Sequence, residues 1–345
     1  MKVLVTGGLG FIGSAVVRYL VNETDHEVVN VDKVTYAATQ ESAAAVADDG
    51  RYRFVAGDIS DSATVASLFD DHSPDAVLHL AAETHVDRSI DSAEEFVSAN
   101  LVGTFRLLEA ARRSNISRFV YVGTDEVYGS LKAGQVAVPG VTRYDPRSPY
   151  AATKAGADHL VNAWGTTYGL PVIVTHSANN YGPFQYPEKL IPLMIIRALA
   201  GESLPVYGDG KQVRDWLHVD DHAAALVAAL EQGQVGETYG VGANTPLSNL
   251  DVVEAICDEV DDLSERLGSG SSRRSLIGFV TDRPGHDRHY GIDPSKFLAA
   301  TDWRPTVAFD DGLADTIRWY FDNEQWWRPL VERGATKRRG STTSE

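Results

Sequence analysis

A single cysteine, Cys257, excludes an internal disulfide and a multi-cysteine metal site. It sits in the segment LDVVEAICDEV, whose apolar stripe reads as a helix, so a buried and inert thiol is expected there. No metal is expected anywhere in the chain. No run of 18 apolar residues occurs, so no membrane span is expected. The N-terminus, MKVLVTGG, enters a strand pattern directly and lacks the charged-then-apolar order of a signal peptide. A cytoplasmic location is therefore expected. Basic residues are also scarce, 31 Lys and Arg against 48 Asp and Glu, for a net charge of −17. Such a surface repels phosphodiester backbones and anionic lipid, which excludes nucleic acid and membrane as expected partners. An anionic substrate would have to be met by its own local Arg or Lys.

Core-forming residues are not in short supply. At 43% hydrophobic and 23% charged, 345 residues can bury about two domains, or one large α/β unit with an appended lobe. Short Val-rich runs at 3–6, 27–31, 52–56, 76–80, 118–122 and 171–175 alternate with amphipathic stretches at 13–21, 63–69, 94–113 and 151–168. Strands separated by helices imply βαβ units and an α/β doubly wound parallel sheet, the Rossmann arrangement. After Ser177 turn residues become frequent, yet 219–230 still reads as a core helix and 238–241 as a last buried strand. The division expected is a dinucleotide-binding unit of 1–177 plus about 216–241, and a smaller discontinuous α/β lobe of about 178–215 plus 242–330. A polar Gly/Ser loop is expected at 264–275 and a frayed tail at 333–345.

Gly7, Gly10 and Gly13 follow the first strand and open the first helix. Glycines at this spacing permit a tight turn and let the backbone approach a pyrophosphate at a helix N-terminus. Asp32 ends the second strand, where a carboxylate accepts both hydroxyls of an adenosine ribose and repels a 2′-phosphate. NAD is therefore favoured over NADP, a preference that Lys33 slightly weakens. Asp58, after the third strand, is placed to accept from the adenine amino group, although Asp at a strand–helix junction also commonly caps a helix. Leu80, Ala81 and Ala82 follow the fourth strand and are small enough to let a cofactor lie close.

Tyr150 and Lys154 stand at i and i+4, one helical turn apart. An ammonium close to a phenol favours the phenolate, which can take a proton from a hydroxyl while the carbon beneath gives up hydride. Thr124, Asp125 and Glu126 end the fifth strand, where doubly wound folds place their ligands. Two adjacent carboxyls can divide acid and base duties if their surroundings separate their pKa values. Isolated, each of these patterns is also what a surface helix or a solvated turn would show.

Together with Gly7–Gly13 and Tyr150/Lys154, the segments AETHVDRSI, TDEVYG, NNYGP, EKLIP, RDWLHV and DRPGHD resemble the dTDP-glucose 4,6-dehydratases. These belong to the extended short-chain dehydrogenase/reductases that act on nucleotide sugars. The segments run in family order over about residues 1–325. The resemblance implies tightly bound, recycled NAD and a cycle of oxidation at C4, loss of water across C5 and C6, and hydride return to C6. Tyr150 would be the base for the 4-hydroxyl, supported by Lys154. Thr124 would hold the 4-oxygen, Glu126 would take the C5 proton, and Asp125 would protonate the departing 6-hydroxyl. On the cofactor side the set is completed by Phe11, Ile12, Ile59, Asn100 and Asn180. Thr84 and Asn179 would meet the sugar or its first phosphate, and Glu188, Lys189 and Leu190 would lie along the sugar nucleotide. Arg214 and Arg283 are diphosphate candidates, because a planar guanidinium forks onto phosphate oxygens. Pro205 and Tyr207 would border the base, with Asn249 and His286 at the nucleotide end. Where the family has Gly-Asn after Tyr-Ala, this chain reads Tyr36-Ala37-Ala38-Thr39, and 131–147 matches nothing in it.

The resemblance also implies a homodimer built on 94–113 and 151–168. Alternatives are a nucleotide-sugar 4-epimerase, which needs no C5 base, a decarboxylase, which commonly has Ser at the Asp125 position, and a non-catalytic NAD-binding sensor. His85, Asp87 and Arg88 read as structural hydrogen-bonding residues, and Trp303, Trp319, Trp326 and Trp327 as packing.

Overall fold

The computed structural model describes residues 1–266 and 272–336. Among the described residues twelve strands follow one another in chain order. They are β1 Lys2–Thr6, β2 Glu27–Asp32, β3 Tyr52–Ala56, β4 Ala76–His79, β5 Arg118–Thr124, β6 Val172–Ser177, β7 Asn179–Tyr181, β8 Leu204–Tyr207, β9 Val213–His218, β10 Thr238–Val241, β11 Pro246–Ser248 and β12 Ile277–Val280. The helices that matter for the site are α1 Phe11–Glu23, α2 Ser62–His72, α3 Val86–Asp91, α4 Glu94–Phe96, α5 Thr104–Ser114, α6 Pro149–Tyr168, α7 Leu190–Ala200, α8 Val219–Gln232 and α9 Asn249–Arg266.

Seven strands form one sheet in the order β10-β6-β5-β4-β1-β2-β3, and every neighbouring pair is parallel. The chain runs outward from β1 through β2 to β3, then crosses back to β4 and outward again. The order therefore reverses between β1 and β4, which opens a crevice beyond their C-terminal ends. This is the expected doubly wound fold. Strands buried on both faces need continuous apolar runs, and Val3, Leu4 and Val5 are fully buried. One face packs on α1 and α8 through Val16, Leu20, Leu226 and Leu230. The other packs on α2, α5 and α6 through Leu68, Leu107, Leu108 and Val161. Each such side chain contributes roughly 1.5–3 kcal/mol by leaving water.

β5 and β6 both run two residues beyond the expected ends, because Gly123 and Thr124 pair with His176 and Ser177. The extension carries Thr124 to the rim of the crevice. The expected helix over 94–113 differs more. Between α4 and α5 the residues Val97–Gly103 form a π-helical stretch. Thr104 Oγ1 donates back to Asn100 O at 2.6 Å, and Gly103 packs so close that a Cβ there would meet Ile59 Cδ1 at 2.7 Å. A wide turn of this kind inside a helix often marks a functional position, and this one carries Asn100.

The second lobe holds a three-stranded sheet, β11-β9-β7, and a two-stranded one, β12-β8. Its core gathers Ile195 from α7, Val253, Ile256 and Cys257 from α9, and Leu313, Tyr320 and Trp327 from later helices. Cys257 is fully buried, and burial pushes its thiol up to about 11, so it is inert as expected. Phe297 and Trp303 join the core beneath the large sheet. Part of the expected 264–275 loop (267–271) and of the tail (337–345) lies outside the described residues, while Ala335 is buried and its N–H donates to Leu330 O at 3.1 Å. Among the described residues no helix is long and apolar enough to cross a membrane, and no cluster of His, Cys, Asp and Glu could hold a metal.

Candidate active site

A cavity of ≈ 320 Å³ occupies the crevice at the ends of β1, β4, β5 and β6. At one end lies the glycine turn. Gly7 adopts φ +75°, in the left-handed region, and its N–H donates to Val31 O at 2.8 Å. A Cβ on Gly13 would lie 2.1 Å from Gly7 O. The cap of α1 is Gly10, which offers no side-chain acceptor, so the first turn of α1 meets the cavity at Phe11 and Ile12 without a side-chain cap. An uncapped helix N-terminus behind a turn with no room for a side chain fits a pyrophosphate. The expected result of Gly13→Ala is loss of bound dinucleotide and about 1–3 kcal/mol of stability, read as cofactor content and Tm.

The other cofactor-side residues fall around this end. Asp32 lines it, its Oδ2 accepting from Leu9 N at 3.0 Å and its Oδ1 from Val34 N at 2.8 Å. Lys33 Nζ lies 2.8 Å from Asp58 Oδ2, and Asp58 also takes Ser60, so these two residues face each other at the edge. Ile59, Leu80, Ala81, Ala82 and Asn180 line the wall. Asn100 stands behind it. Its Nδ2 donates to Thr153 Oγ1 at 2.9 Å and Glu83 O at 3.1 Å, and its Oδ1 accepts from Glu83 N at 2.9 Å.

Tyr150 enters the cavity from the first turn of α6, which Pro149 begins and Ser148 caps by accepting from Ala151 N at 3.0 Å. Burial pushes the phenol above its ordinary value, Glu126 adds to this, and a hydrogen bond with Thr124 opposes it. The expected lowering of this phenol by Lys154 is therefore outweighed here by burial. Lys154 Nζ instead donates to Val122 O at 2.7 Å and lies 4.3 Å from the centroid of the Tyr121 ring. Burial lowers the ammonium to about 8, with Asp158 opposing. A depressed value loses its proton on the alkaline side, so activity that needs this charge falls as pH rises through about 8. Lys154→Arg, whose guanidinium does not titrate there, is expected to lose that alkaline limb in a kcat/KM profile.

Asp125 and Glu126 begin a short turn of helix after β5 and line the same cavity. Burial, then the neighbouring Glu126, raises Asp125 well above the carboxylate range. Its Oδ2 is buried with no hydrogen-bond partner among the described residues. Glu126 is raised by burial too, but Arg283, Arg214 and Lys189 pull it back. The pair is thus set apart as acid–base chemistry requires, Asp125 pushed up by burial and by its neighbour, Glu126 pushed up by burial but drawn back by three cations.

The expected substrate residues split into two groups. Thr84, Asn179, Glu188 and Lys189 line the cavity. Lys189 Nζ donates to Thr84 O at 3.2 Å. Glu188 accepts from Tyr36 Oη at 3.3 Å and Arg88 Nε at 3.2 Å, and Arg88 stacks 3.5 Å from the Tyr36 ring centroid. Leu190, in contrast, opens α7 and packs into the second-lobe core. The remaining residues form an adjoining cluster that meets the cavity at Glu126. Arg214 spends Nη1 on Val213 O at 2.8 Å and Nη2 on Asp287 O at 2.9 Å, and stacks on Tyr290. Arg283 Nη1 bonds Asp87 Oδ1 at 3.1 Å, leaving a buried Nε with no hydrogen-bond partner among the described residues. Tyr207 Oη reaches Asp87 Oδ2 at 3.4 Å and its ring meets His286 edge-on at 6.2 Å. His286 bonds Asp282, and burial together with Arg283 holds it down at about 4. Pro205 lies in β8 beside Tyr207, and Asn249, opening α9, donates its N–H to Gln212 O at 2.9 Å.

Several lining residues went unforeseen. Ser177 ends β6 and Ala178 follows it, and Gln185 and Tyr186 lie before α7. The strand-end rule would have found the first two. Nothing in the sequence marks the others.

The sequence profile of the GDP-mannose 4,6 dehydratase family matches residues 4–316. The dTDP-glucose 4,6-dehydratase of Neisseria meningitidis serogroup B is 52% identical over 340 residues, covering 96% of either chain. This chain belongs to the dTDP-glucose 4,6-dehydratase family. A dTDP-glucose 4,6-dehydratase of Streptomyces venezuelae, solved with NAD bound, superposes with a TM-score of 0.89 at 44% identity, covering 96% of this chain and all of that one (100%). The UDP-glucose 4-epimerase of Thermus thermophilus, also solved with NAD, reaches 0.83 at 29% identity over 94% of this chain and 100% of its own. Dehydratases and epimerases therefore share this fold, and the dehydratase family is distinguished by its higher identity.

Proposed function

We propose that the chain catalyses NAD-dependent dehydration of dTDP-glucose to its 4-keto-6-deoxy derivative. The observation that carries this reading is the carboxyl pair, Asp125 buried with an unpartnered Oδ2 among the described residues and Glu126 faced by three cations, in one cavity with Tyr150 and Lys154. When bound, NAD supplies reversible hydride exchange and a positive charge. Tyr150, hydrogen-bonded to Thr124, takes the proton of the sugar 4-hydroxyl. The resulting 4-ketone acidifies C5, and Glu126 removes its proton. Asp125 donates its proton to the departing 6-hydroxyl, which leaves as water. Glu126 then returns a proton to C5 as hydride reaches C6. Lys189, Arg214 and Arg283 supply the local positive charge that a diphosphate needs in a chain of net charge −17. An epimerase has no use for a C5 base, and a sensor has no use for any of these groups.

Comparative turnover of dTDP-, UDP-, CDP- and GDP-glucose tests the reading, with substrate deuterated at C4. The expected result is preference for dTDP-glucose and deuterium in the product methyl group. A product whose methyl group carries no label would overturn it.

The division into a dinucleotide unit and a nucleotide-sugar lobe is supported by separate cores beneath the large sheet and around Ile195 and Ile256. A homodimer through the π-helical segment, α5 and α6 is supported by exposed Val97 (44%) and Val102 (37%), and light scattering should give twice the chain mass. A cytoplasmic location fits an enzyme of nucleotide-sugar metabolism, and cell fractionation tests it.

A further inference from the structure

A buried carboxylate, Asp158, lies on α6 one turn beyond Lys154 and two turns beyond Tyr150, and no step of the reaction uses it. Neither Asp158 nor its partner His176 has any exposed side chain (0%/0%). His176 Nε2 stands 2.9 Å from Asp158 Oδ2, and His176 Nδ1 stands 2.7 Å from the Tyr128 hydroxyl. A carboxylate can only accept, so Nε2 carries a ring proton toward Asp158, while Nδ1 shares a hydrogen bond with Tyr128. The Tyr144 hydroxyl is a second donor to Asp158. Gly123 lets the group pack flush against β5, since a Cβ there would meet His176 Cδ2 at 2.6 Å and Asp158 Oδ1 at 3.1 Å. That Oδ1 is buried without a hydrogen-bond partner among the described residues.

A buried carboxylate of this kind is tolerated where a cation compensates it. Lys154, itself buried, stands at i,i+4 spacing on the same helix. We propose that Asp158 is a positioning residue that keeps Lys154 charged, and that His176, Tyr128 and Tyr144 hold its carboxylate in place. The proposal rests on the role given to Lys154 above.

Few other titratable groups face this ammonium. Tyr121 of β5 lies beneath it, Tyr150 precedes it on α6, and His79 of β4 is a neutral ring held between Thr6 and Thr104. Asp158 in turn faces Tyr121, Tyr128, Tyr144 and Tyr150 besides His176. Its charge opposes the burial that depresses Lys154. Tyr144 comes from the 131–147 stretch that no family motif explains, which gives that segment a task at the back of the site.

The test is the pH profile of kcat/KM for the NAD-loaded enzyme. Asp158→Asn is expected to move the alkaline limb about one pH unit lower, the size of effect a nearby opposite charge exerts. A purely structural role would scale the whole profile without moving the limb. Asp158→Ser removes the same charge with less bulk and serves if the Asn variant does not hold NAD. An unmoved limb in either NAD-retaining variant overturns the proposal. Lys154→Arg separates the two layers. If it loses the limb while Asp158→Asn leaves it in place, Asp158 alone is misassigned. If Lys154→Arg keeps the wild-type limb, the role of Lys154 falls and the Asp158 proposal falls with it.

Discussion

Tyr150→Phe is expected to stop oxidation of the sugar and to lower turnover by roughly 10²–10⁴-fold, the range general acid–base groups supply. The substitution removes one hydroxyl from a side chain only 8% exposed and leaves the ring packed edge-on to Phe96. The lost hydrogen bond to Thr124 is worth about 0.5–1.5 kcal/mol, too little to unfold the protein. Cofactor content should therefore stay at the wild-type level while reduced cofactor no longer forms in a single turnover. The effect is large because Tyr150 is the phenol that the first turn of α6 brings into the cavity, and the phenyl ring left behind cannot take a proton. Reduced cofactor appearing at the wild-type rate would remove Tyr150 from its role.

Glu126→Gln produces a different defect, and the difference is what makes it informative. The amide keeps the size and position of the side chain but cannot accept a proton from C5. Oxidation at C4 should continue, so reduced cofactor builds up, while turnover falls by about 10²–10⁴-fold. Exchange of the C5 proton with solvent deuterium should cease. Asp125→Asn is expected to spare that exchange and to block loss of water, since the group removed is the protonated acid. The contrast follows from the charges around the pair. Arg283, Arg214 and Lys189 all face Glu126, whereas Asp125 is buried against Glu126 with Arg214 opposing. Normal deuterium entry at C5 in the Gln variant would assign Glu126 another task.

Much of this site was legible in the chain because its signals are local. The glycine spacing at 7, 10 and 13, the Val-rich strands, Asp32 at a strand end and the i,i+4 pair Tyr150/Lys154 each follow from backbone geometry within a few residues. The same locality placed Thr124, Asp125 and Glu126 at the mouth of the sheet. It failed where a distant segment decides the outcome. The π-helical stretch at Val97–Gly103 ends on Gly103, packed close to Ile59 from the β3–α2 connection, and no periodicity in that helix announces it.

The sequence by itself determined which chemical groups this protein has, the order of its strands and helices, and hence the crevice at which those groups meet. Only the tertiary structure decided the state in which they meet. It buried Tyr150 and Lys154 enough to reverse the simple expectation for the phenol. It joined Arg283 to Asp87 across 196 residues and Arg88 to Glu188 across 100. It also enclosed Asp158 with His176 away from water. Desolvation and charge pairing depend on which surfaces are pressed together in three dimensions, and spacing along the chain carries no record of that.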